Sequence, residues 1–172
     1  MPAGLLARLD ARDRSLLLKW SLGADASRRH RRAWMAITGL GSAAVTIGAV
    51  VIPWLAFPAL RGASARAGLA LALSHLVIQI VKRSVGRERP SERLASCAAI
   101  ANPDRFSFPS GHACSSLAVA LAYALAFPAL LPFLVAVGLV VGWSRVVLGV
   151  HYPGDVVVGQ LIAAATVLTI GG

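Results

Sequence analysis

One stretch near the end of the chain reads Ser144-Arg145-Val146-Val147-Leu148-Gly149-Val150-His151-Tyr152-Pro153-Gly154-Asp155 and joins two long apolar runs. Charged side chains between apolar segments are costly and therefore need a reason. We expect His151 to act as a nucleophile, Asp155 to hold it in place, and Arg145 to bind the anion that His151 attacks. This hypothesis requires partners elsewhere in the chain.

The composition predicts a membrane protein. Of the 172 residues 57% are hydrophobic and only 14% are charged, whereas about a quarter of a soluble domain is charged. The length allows one domain. The net charge of +10 is compatible with nucleic-acid binding, but the basic residues cluster beside apolar runs without interleaved aromatic side chains. We therefore predict no nucleic-acid partner, and attribute the charge to membrane topology and anion binding.

The apolar runs predict an all-α, polytopic membrane bundle of about five transmembrane helices. Residues 34–57 are uncharged and, at 1.5 Å per residue, long enough to cross a core of about 30 Å. Residues 67–81 form a shorter span flanked by basic side chains that can snorkel. Residues 113–144 contain Pro128 and Pro132, so two spans joined by a tight turn are expected there. Residues 156–172 form the last span.

The first 33 residues are basic and rich in leucine, which predicts a helix lying on the membrane surface. A poorly ordered basic tail is the alternative. We accordingly divide the chain into an interfacial segment, 1–33, and a membrane-embedded domain, 34–172. A short helix is also expected at residues 91–100, inside the long polar loop.

His75 lies inside the second apolar run, four residues before Gln79. An ionisable side chain within a membrane is a candidate for function. A hydrogen bond to Gln79 or to a neighbouring helix is the more ordinary interpretation, and the role of His75 stays open at this point.

Three polar clusters are expected on one face of the membrane. Lys82 and Arg89 follow the second span, Ser110-Gly111-His112 precedes the third, and the quoted stretch links the fourth and fifth. Antiparallel spans alternate in direction. The ends of the second and fourth spans and the starts of the third and fifth therefore all lie on the same face of the membrane. The topology brings the clusters together, whichever face that is.

These clusters suit a phosphoryl group. The free backbone N–H groups at the start of a helix favour an anion, and a glycine there allows close backbone approach. Cationic side chains hold phosphate oxygens and the charge that they carry in the transition state. The predicted phosphate-binding residues are Lys82, Arg89, Ser110, Gly111 and Arg145.

The two histidines divide the chemistry. His151 has a carboxylate partner, Asp155, which fixes its tautomer and stabilises the imidazolium, so His151 is the predicted nucleophile and forms a phosphohistidine. His112 is the predicted acid and base, protonating the leaving alkoxide and then deprotonating water. This scheme requires no metal and no cofactor, and the chain has no carboxylate cluster to hold a metal.

Lys82-x6-Arg89-Pro90, Pro109-Ser110-Gly111-His112 and Ser144-Arg145-x5-His151-x3-Asp155 resemble, in order and spacing, the three-part signature of the type 2 phosphatidate phosphatase superfamily. That superfamily includes bacterial lipid phosphatases, glucose-6-phosphatase and vanadium haloperoxidases. The resemblance covers about residues 64–170. It implies metal-independent dephosphorylation with the same assignment of nucleophile, acid/base and phosphate ligands. Typical membrane members have six spans and an outward-facing site, whereas this chain has about five.

The expected function is therefore that of an integral membrane phosphatase acting on a lipid phosphate with water. Candidate substrates are phosphatidic acid, phosphatidylglycerol phosphate, polyprenyl phosphates or diphosphates, and a polyprenyl phosphosugar such as decaprenylphosphoryl phosphoribose. The alternatives are a non-enzymatic lipid-binding or assembly protein and a vanadate-dependent oxidase. The sequence does not determine the oligomeric state.

The membrane face of the site follows from the distribution of positive charge. Of the 17 Lys and Arg residues, only Arg61 and Arg66 lie on the side opposite the polar clusters. Cytoplasmic segments are enriched in Lys and Arg, so we expect a protein of the cell membrane with its site on the cytoplasmic face. A cytoplasmic site favours phosphatidylglycerol phosphate or a polyprenyl phosphosugar.

Overall fold

The computed structural model describes residues 3–23, 25–93 and 105–171, and within these the chain forms eight α-helices. They are α1 (Ala3–Trp20), α2 (Arg28–Gly39), α3 (Ala43–Ala56), α4 (Arg61–Val85), α5 (Pro90–Arg93), α6 (Gly111–Ala126), α7 (Leu131–Val147) and α8 (Pro153–Gly171). The prediction of an all-α bundle is confirmed. The helix expected at residues 91–100 falls largely outside the described residues.

The helices form a polytopic membrane bundle. Helices α4 and α7, each with the 3-10 turn before it, and α8 are long and apolar enough to cross a membrane. Helices α2 and α3 pass the same test only as a pair, bent by 45°. Helix α6 is apolar but has 16 residues. The described residues thus hold three helices that can cross a membrane, or four with the bent pair, whereas about five spans were predicted. Helix α6 lies where the third span was expected.

The run predicted as the first span, residues 34–57, is divided between α2 and α3. The run breaks at residues 40–42, and α3 restarts where the Ser42 side chain accepts the Val45 N–H. A Cβ on Gly41 would lie 3.1 Å from the His112 carbonyl oxygen and 2.7 Å from Val141 Cγ1. The break therefore places bare backbone against the start of α6, where a side chain would not fit.

Two proline turns set the antiparallel order of the helices. Phe-Pro-Ala-Leu occurs at residues 57–60, between α3 and α4, and again at residues 127–130, between α6 and α7. A residue before proline avoids the helical conformation, and Phe57 and Phe127 have φ of −130° and −132°. Each helix therefore ends at the phenylalanine, which confirms the turn predicted between the third and fourth spans.

Helix α6 occupies the centre of the bundle, in contact with α4, α7 and α8. Its buried face is rich in alanine, including Ala113, Ala118 and Ala122, and small side chains let neighbouring helices approach closely. At Gly138 of α7, an added Cβ would lie 3.0 Å from the Leu117 Cα. Other helices therefore cover much of α6.

Helix α1 confirms the predicted N-terminal helix, and the alternative of a poorly ordered tail is wrong for the part that the structure describes. It packs on α7 and α8. Leu17 is fully buried beside Val146 and Tyr152, and the Trp20 ring centroid lies 5.0 Å from that of Trp143. The proposed domain boundary at residue 33 lies within α2 and stays a prediction.

We expect Gly138→Ala to destabilise the bundle, because its methyl group would press on α6 and overpacking typically costs about 1–3 kcal/mol. Thermal unfolding of the detergent-solubilised protein measures this as a lower midpoint. Gly48→Ala is the matched control, since its Cβ would meet only Ile52 Cδ1 at 3.7 Å. Equal midpoints for the two variants would contradict the close packing of α6 and α7.

Candidate active site

Four helix ends meet at one end of the bundle: the last turns of α4 and α7 and the first turns of α6 and α8. The Ser110 N–H donates to the Asp155 carbonyl at 2.9 Å, which joins α6 to α8. Lys82, Gly111 and His112 line one cavity. All eight predicted site residues lie in this region: Lys82, Arg89, Ser110, Gly111, His112, Arg145, His151 and Asp155.

His151 lies on the turn between α7 and α8. Helix α7 ends at Val147, Gly149 adopts a φ of +70°, and Pro153 begins α8. Glycine takes this left-handed conformation without steric cost, and proline suits the first position of a helix. The predicted break in the helix before His151 is confirmed.

The imidazole of His151 lies between a cation and a carboxylate. Its Nε2 is 3.2 Å from Arg89 Nη1, and its Nδ1 is 3.5 Å from Asp155 Oδ2. Because a guanidinium only donates hydrogen bonds, Nε2 faces Arg89 with its lone pair. The proton of the neutral ring is then on Nδ1, directed towards Asp155 across a gap slightly longer than a normal hydrogen bond.

Burial lowers the pKa of His151 to about 4; the Asp155 carboxylate opposes this shift, while Arg89 and Arg145 reinforce it. The ring is therefore neutral at physiological pH. A neutral imidazole beside the guanidinium groups of Arg89 and Arg145 combines an unprotonated Nε2 with a positive environment. That combination suits attack on an anion.

Asp155 is completely buried and has three polar partners besides His151. Its Oδ1 accepts from Arg87 Nη1 at 2.7 Å, its Oδ2 accepts the Tyr152 N–H at 2.9 Å, and its carbonyl accepts from Ser110. The bond to Tyr152 resembles half of a capping box, in which an acidic side chain in the first turn accepts a backbone N–H at the helix start. These contacts fix the carboxylate behind His151.

Sequence reasoning missed Arg87, although it lies only two residues before Arg89. Its guanidinium contacts Asp10 at 2.7 Å, Asp13 at 2.8 Å and Asp155 at 2.7 Å, and stacks 4.0 Å from the Tyr152 ring centroid. Burial by itself would lower the pKa of Arg87, but the three carboxylates outweigh it and raise the pKa above the usual value.

Arg87 and its carboxylates join α1 to the site. Asp10 and Asp13 are three residues apart, which puts them on one face of α1. Asp13 also accepts the Gly154 N–H at 2.8 Å, at the start of α8. That acidic i, i+3 pair in an otherwise basic segment was the signal from which this contact could have been inferred.

The start of α6 has features of an anion site. The Ser110 Oγ is buried and has no hydrogen-bond partner among the described residues. A Cβ on Gly111 would meet nothing within 4 Å, so open space lies beside this backbone.

Arg145 is anchored separately, since its Nη1 donates to Thr38 Oγ1 on α2 at 2.8 Å. No motif indicates that role for Thr38.

The comparisons with known proteins identify the family of this chain. The model of the PAP2 superfamily matches residues 63–170, more than half of the chain. The chain belongs to the PAP2 superfamily. The resemblance inferred from the three motifs is therefore confirmed. Together with the phosphatases among the chain's relatives, this membership identifies a phosphatase, an enzyme that hydrolyses phosphate monoesters.

Curated PAP2 relatives include phosphatases of lipid-linked substrates. The decaprenylphosphoryl-5-phosphoribose phosphatase of Mycobacterium tuberculosis is 32% identical over 93% of this chain and 84% of its own length. The lipid A 1-phosphatase of Rhizobium johnstonii is 36% identical over 53% of this chain and 39% of its own length.

Two solved PAP2-type structures share the fold. The transmembrane PAP2 type phosphatidylglycerolphosphate phosphatase from Bacillus subtilis superposes with a TM-score of 0.78 at 23% identity, covering 95% of this chain and 84% of that one. Aquifex aeolicus LpxE gives a TM-score of 0.70 at 19% identity, covering 86% and 88%. At identities of 23% and 19% this likeness shows a shared fold and nothing more.

We expect Arg87→Met to reduce kcat by about 10- to 100-fold with little change in KM, because Asp155 would lose its charged partner while the cavity keeps its lining. Steady-state hydrolysis of a lipid phosphate measures both constants. Arg83→Met is the matched control, since Arg83 is exposed and lies four residues earlier, in the last turn of α4. If both variants keep wild-type kcat, Arg87 does not position Asp155.

Proposed function

We propose that this PAP2 protein is an integral membrane lipid-phosphate phosphatase that removes a terminal phosphate through a phosphohistidine on His151, without a metal ion. The observation that carries the proposal is the orientation of His151. Its Nε2 faces the buried Arg89 guanidinium and its Nδ1 faces the buried Asp155 carboxylate. This is the arrangement that a nucleophile for phosphorus requires.

The terminal phosphate binds among the cations at the start of α6. Lys82, Arg89 and Arg145 are each nearly buried, and charge-assisted hydrogen bonds are stronger where water is excluded. The Ser110 Oγ and the backbone beside Gly111 supply further donors. Together these groups stabilise the charge on the equatorial oxygens as the transition state forms.

In the first step, Nε2 of His151 attacks phosphorus and the bond between phosphorus and the ester oxygen breaks. His112 gives its proton to the departing alkoxide, and Asp155 stabilises the imidazolium-like phosphohistidine. In the second step, His112 takes a proton from water as the water oxygen attacks phosphorus. The bond between phosphorus and nitrogen breaks, and inorganic phosphate leaves with both histidines restored.

The substrate is a lipid. His112 and Lys82 line a cavity of about 760 Å³ that continues along α3 and α4 past Ile47 and Leu71. An apolar cavity that leads from a phosphate site suits a hydrocarbon chain with a terminal phosphate.

A polyprenyl phosphosugar is our first candidate, supported by the 32% identity with the mycobacterial decaprenylphosphoryl-5-phosphoribose phosphatase. The phosphatases among the chain's relatives set aside the non-enzymatic alternative, and no observation among the described residues favours the vanadate oxidase.

We expect His151→Ala to lower phosphate release from lipid phosphates at least about a thousandfold, and Asp155→Asn by roughly 10²–10⁴. EDTA should leave wild-type activity unchanged. With substrate labelled at its terminal phosphate, wild-type protein should carry a label that survives alkali and is lost in acid.

The control is His30→Ala, which removes an exposed histidine of α2 and should retain full activity and labelling. Equal release by wild type and His151→Ala, or loss of activity with EDTA, would refute this mechanism.

We further propose that the site faces the cytoplasm, because Lys and Arg are concentrated on its side of the membrane. With Cys97 replaced by serine and Cys114 buried, Gly62→Cys and Ser84→Cys place one exposed thiol at each end of α4. In intact cells an impermeant maleimide should label the cysteine at position 62 and reach that at position 84 only after permeabilisation. The reverse pattern would place the site outside.

A further inference from the structure

One polar pair in the cavity has no role in the mechanism above. His75 and Gln79 lie in the middle of α4, and Gln79 Nε2 is 3.1 Å from His75 Nε2. The hydrogen bond expected from the sequence is therefore present. Both side chains also line the cavity that contains Lys82 and His112, and His75 is exposed.

The pair is costly where it lies. Polar side chains within a membrane are expensive and usually face a bundle interior or a cavity. An amide nitrogen only donates, so His75 Nε2 accepts this bond and the ring proton is on Nδ1. The one bond leaves most of the donor and acceptor capacity of Gln79 and the Nδ1–H of His75 for other groups.

The position of the pair relative to the phosphate site is fixed by the helix. His75 precedes Lys82 by seven residues, which is nearly two turns and places both on one face of α4, roughly 10 Å apart along the axis. Beyond His75 the cavity lining is mostly apolar, with Gly68, Leu71 and Ile47. A bound lipid would therefore meet a cationic site, then a polar pair, and then an apolar channel.

We propose that His75 and Gln79 bind a second, bridging phosphate, so that the preferred substrate carries its terminal phosphate on a sugar or glycerol joined to the lipid by a phosphodiester. Such a linker separates the two phosphorus atoms by about six or seven single bonds of roughly 1.5 Å each, which spans most of the axial offset. The Nδ1–H of His75 and the amide of Gln79 supply donors for the diester oxygens. A polyprenyl monophosphate would place only hydrocarbon beside the pair.

This inference rests on the proposed function and is tested by substrate selectivity. Wild type, His75→Leu and Gln79→Leu are compared on a two-phosphate lipid, such as phosphatidylglycerol phosphate, and on polyprenyl monophosphate. We expect each variant to lose about tenfold to a hundredfold in kcat/KM on the two-phosphate lipid, mainly through KM. Activity on the monophosphate should stay within about threefold, which also shows that the variant is folded.

Thr46→Val is the matched control. Thr46 lines the same cavity, but its hydroxyl donates to the Ser42 carbonyl of its own helix at 3.0 Å. Removing that hydroxyl takes a polar group from the lining without touching the pair, so selectivity should not change. Equal losses on both lipids, or no loss on the two-phosphate lipid, would overturn the proposal.

Phosphatidic acid distinguishes a bridging phosphate from ester oxygens as the group that His75 and Gln79 bind. In this lipid, ester oxygens and not a second phosphate follow the headgroup. A loss on phosphatidic acid equal to that on the two-phosphate lipid would assign the pair to ester oxygens and overturn the bridging phosphate.

A binding measurement separates failure of this proposal from failure of the proposed function. In the His151→Ala background, the rise in melting temperature caused by each lipid reports binding without turnover. The two-phosphate lipid should give the larger rise, and His75→Leu should abolish the difference. If this difference in binding is found while the wild type hydrolyses neither lipid, only the proposed lipid-phosphatase function fails. If the two lipids bind alike, the second subsite is refuted.

Discussion

The buried charge of Asp155 is the constraint on which the rest of the site depends. A carboxylate with no solvent contact is tolerable only when it is paired and hydrogen-bonded. Arg87 at 2.7 Å and the Tyr152 N–H at 2.9 Å meet that requirement, and His151 lies 3.5 Å away on the other side. The groups that keep Asp155 ionised therefore also fix where His151 can lie.

That constraint extends to the N-terminal helix. Arg87 is shared among Asp155, Asp10 and Asp13, and Asp13 also accepts the first free N–H of α8, from Gly154. The family match begins at residue 63, so two of these carboxylates lie outside it. Helix α1 is thus bound to the site by charge as well as by the apolar contacts of Leu17, and the site scaffold is larger than its motifs.

Prediction from the sequence succeeded where one local rule or the alternation of helix direction was sufficient. Pro128 ended α6, Gly149 and Pro153 put His151 on a turn, and antiparallel helices collected the three motifs at one end. It failed where two distant surfaces had to meet. The break near Gly41 reflects contact with α6. Arg145 is supported by Thr38, in a segment that carries no motif, and Asp155 by Arg87, at a position that the first motif leaves unspecified.

The sequence by itself determined the membrane class, the helix hairpins and the grouping of the polar motifs, because hydrophobic length, proline and glycine act on neighbouring residues and helix direction alternates across a membrane. Only the tertiary structure decided which side chains pair. Arg87 rather than another cation holds Asp155, and His75 with Gln79 lies on the wall of the cavity that contains Lys82 and His112. Such pairing depends on which helix faces meet, and the physical reason is that close electrostatic contacts act through space and not along the chain.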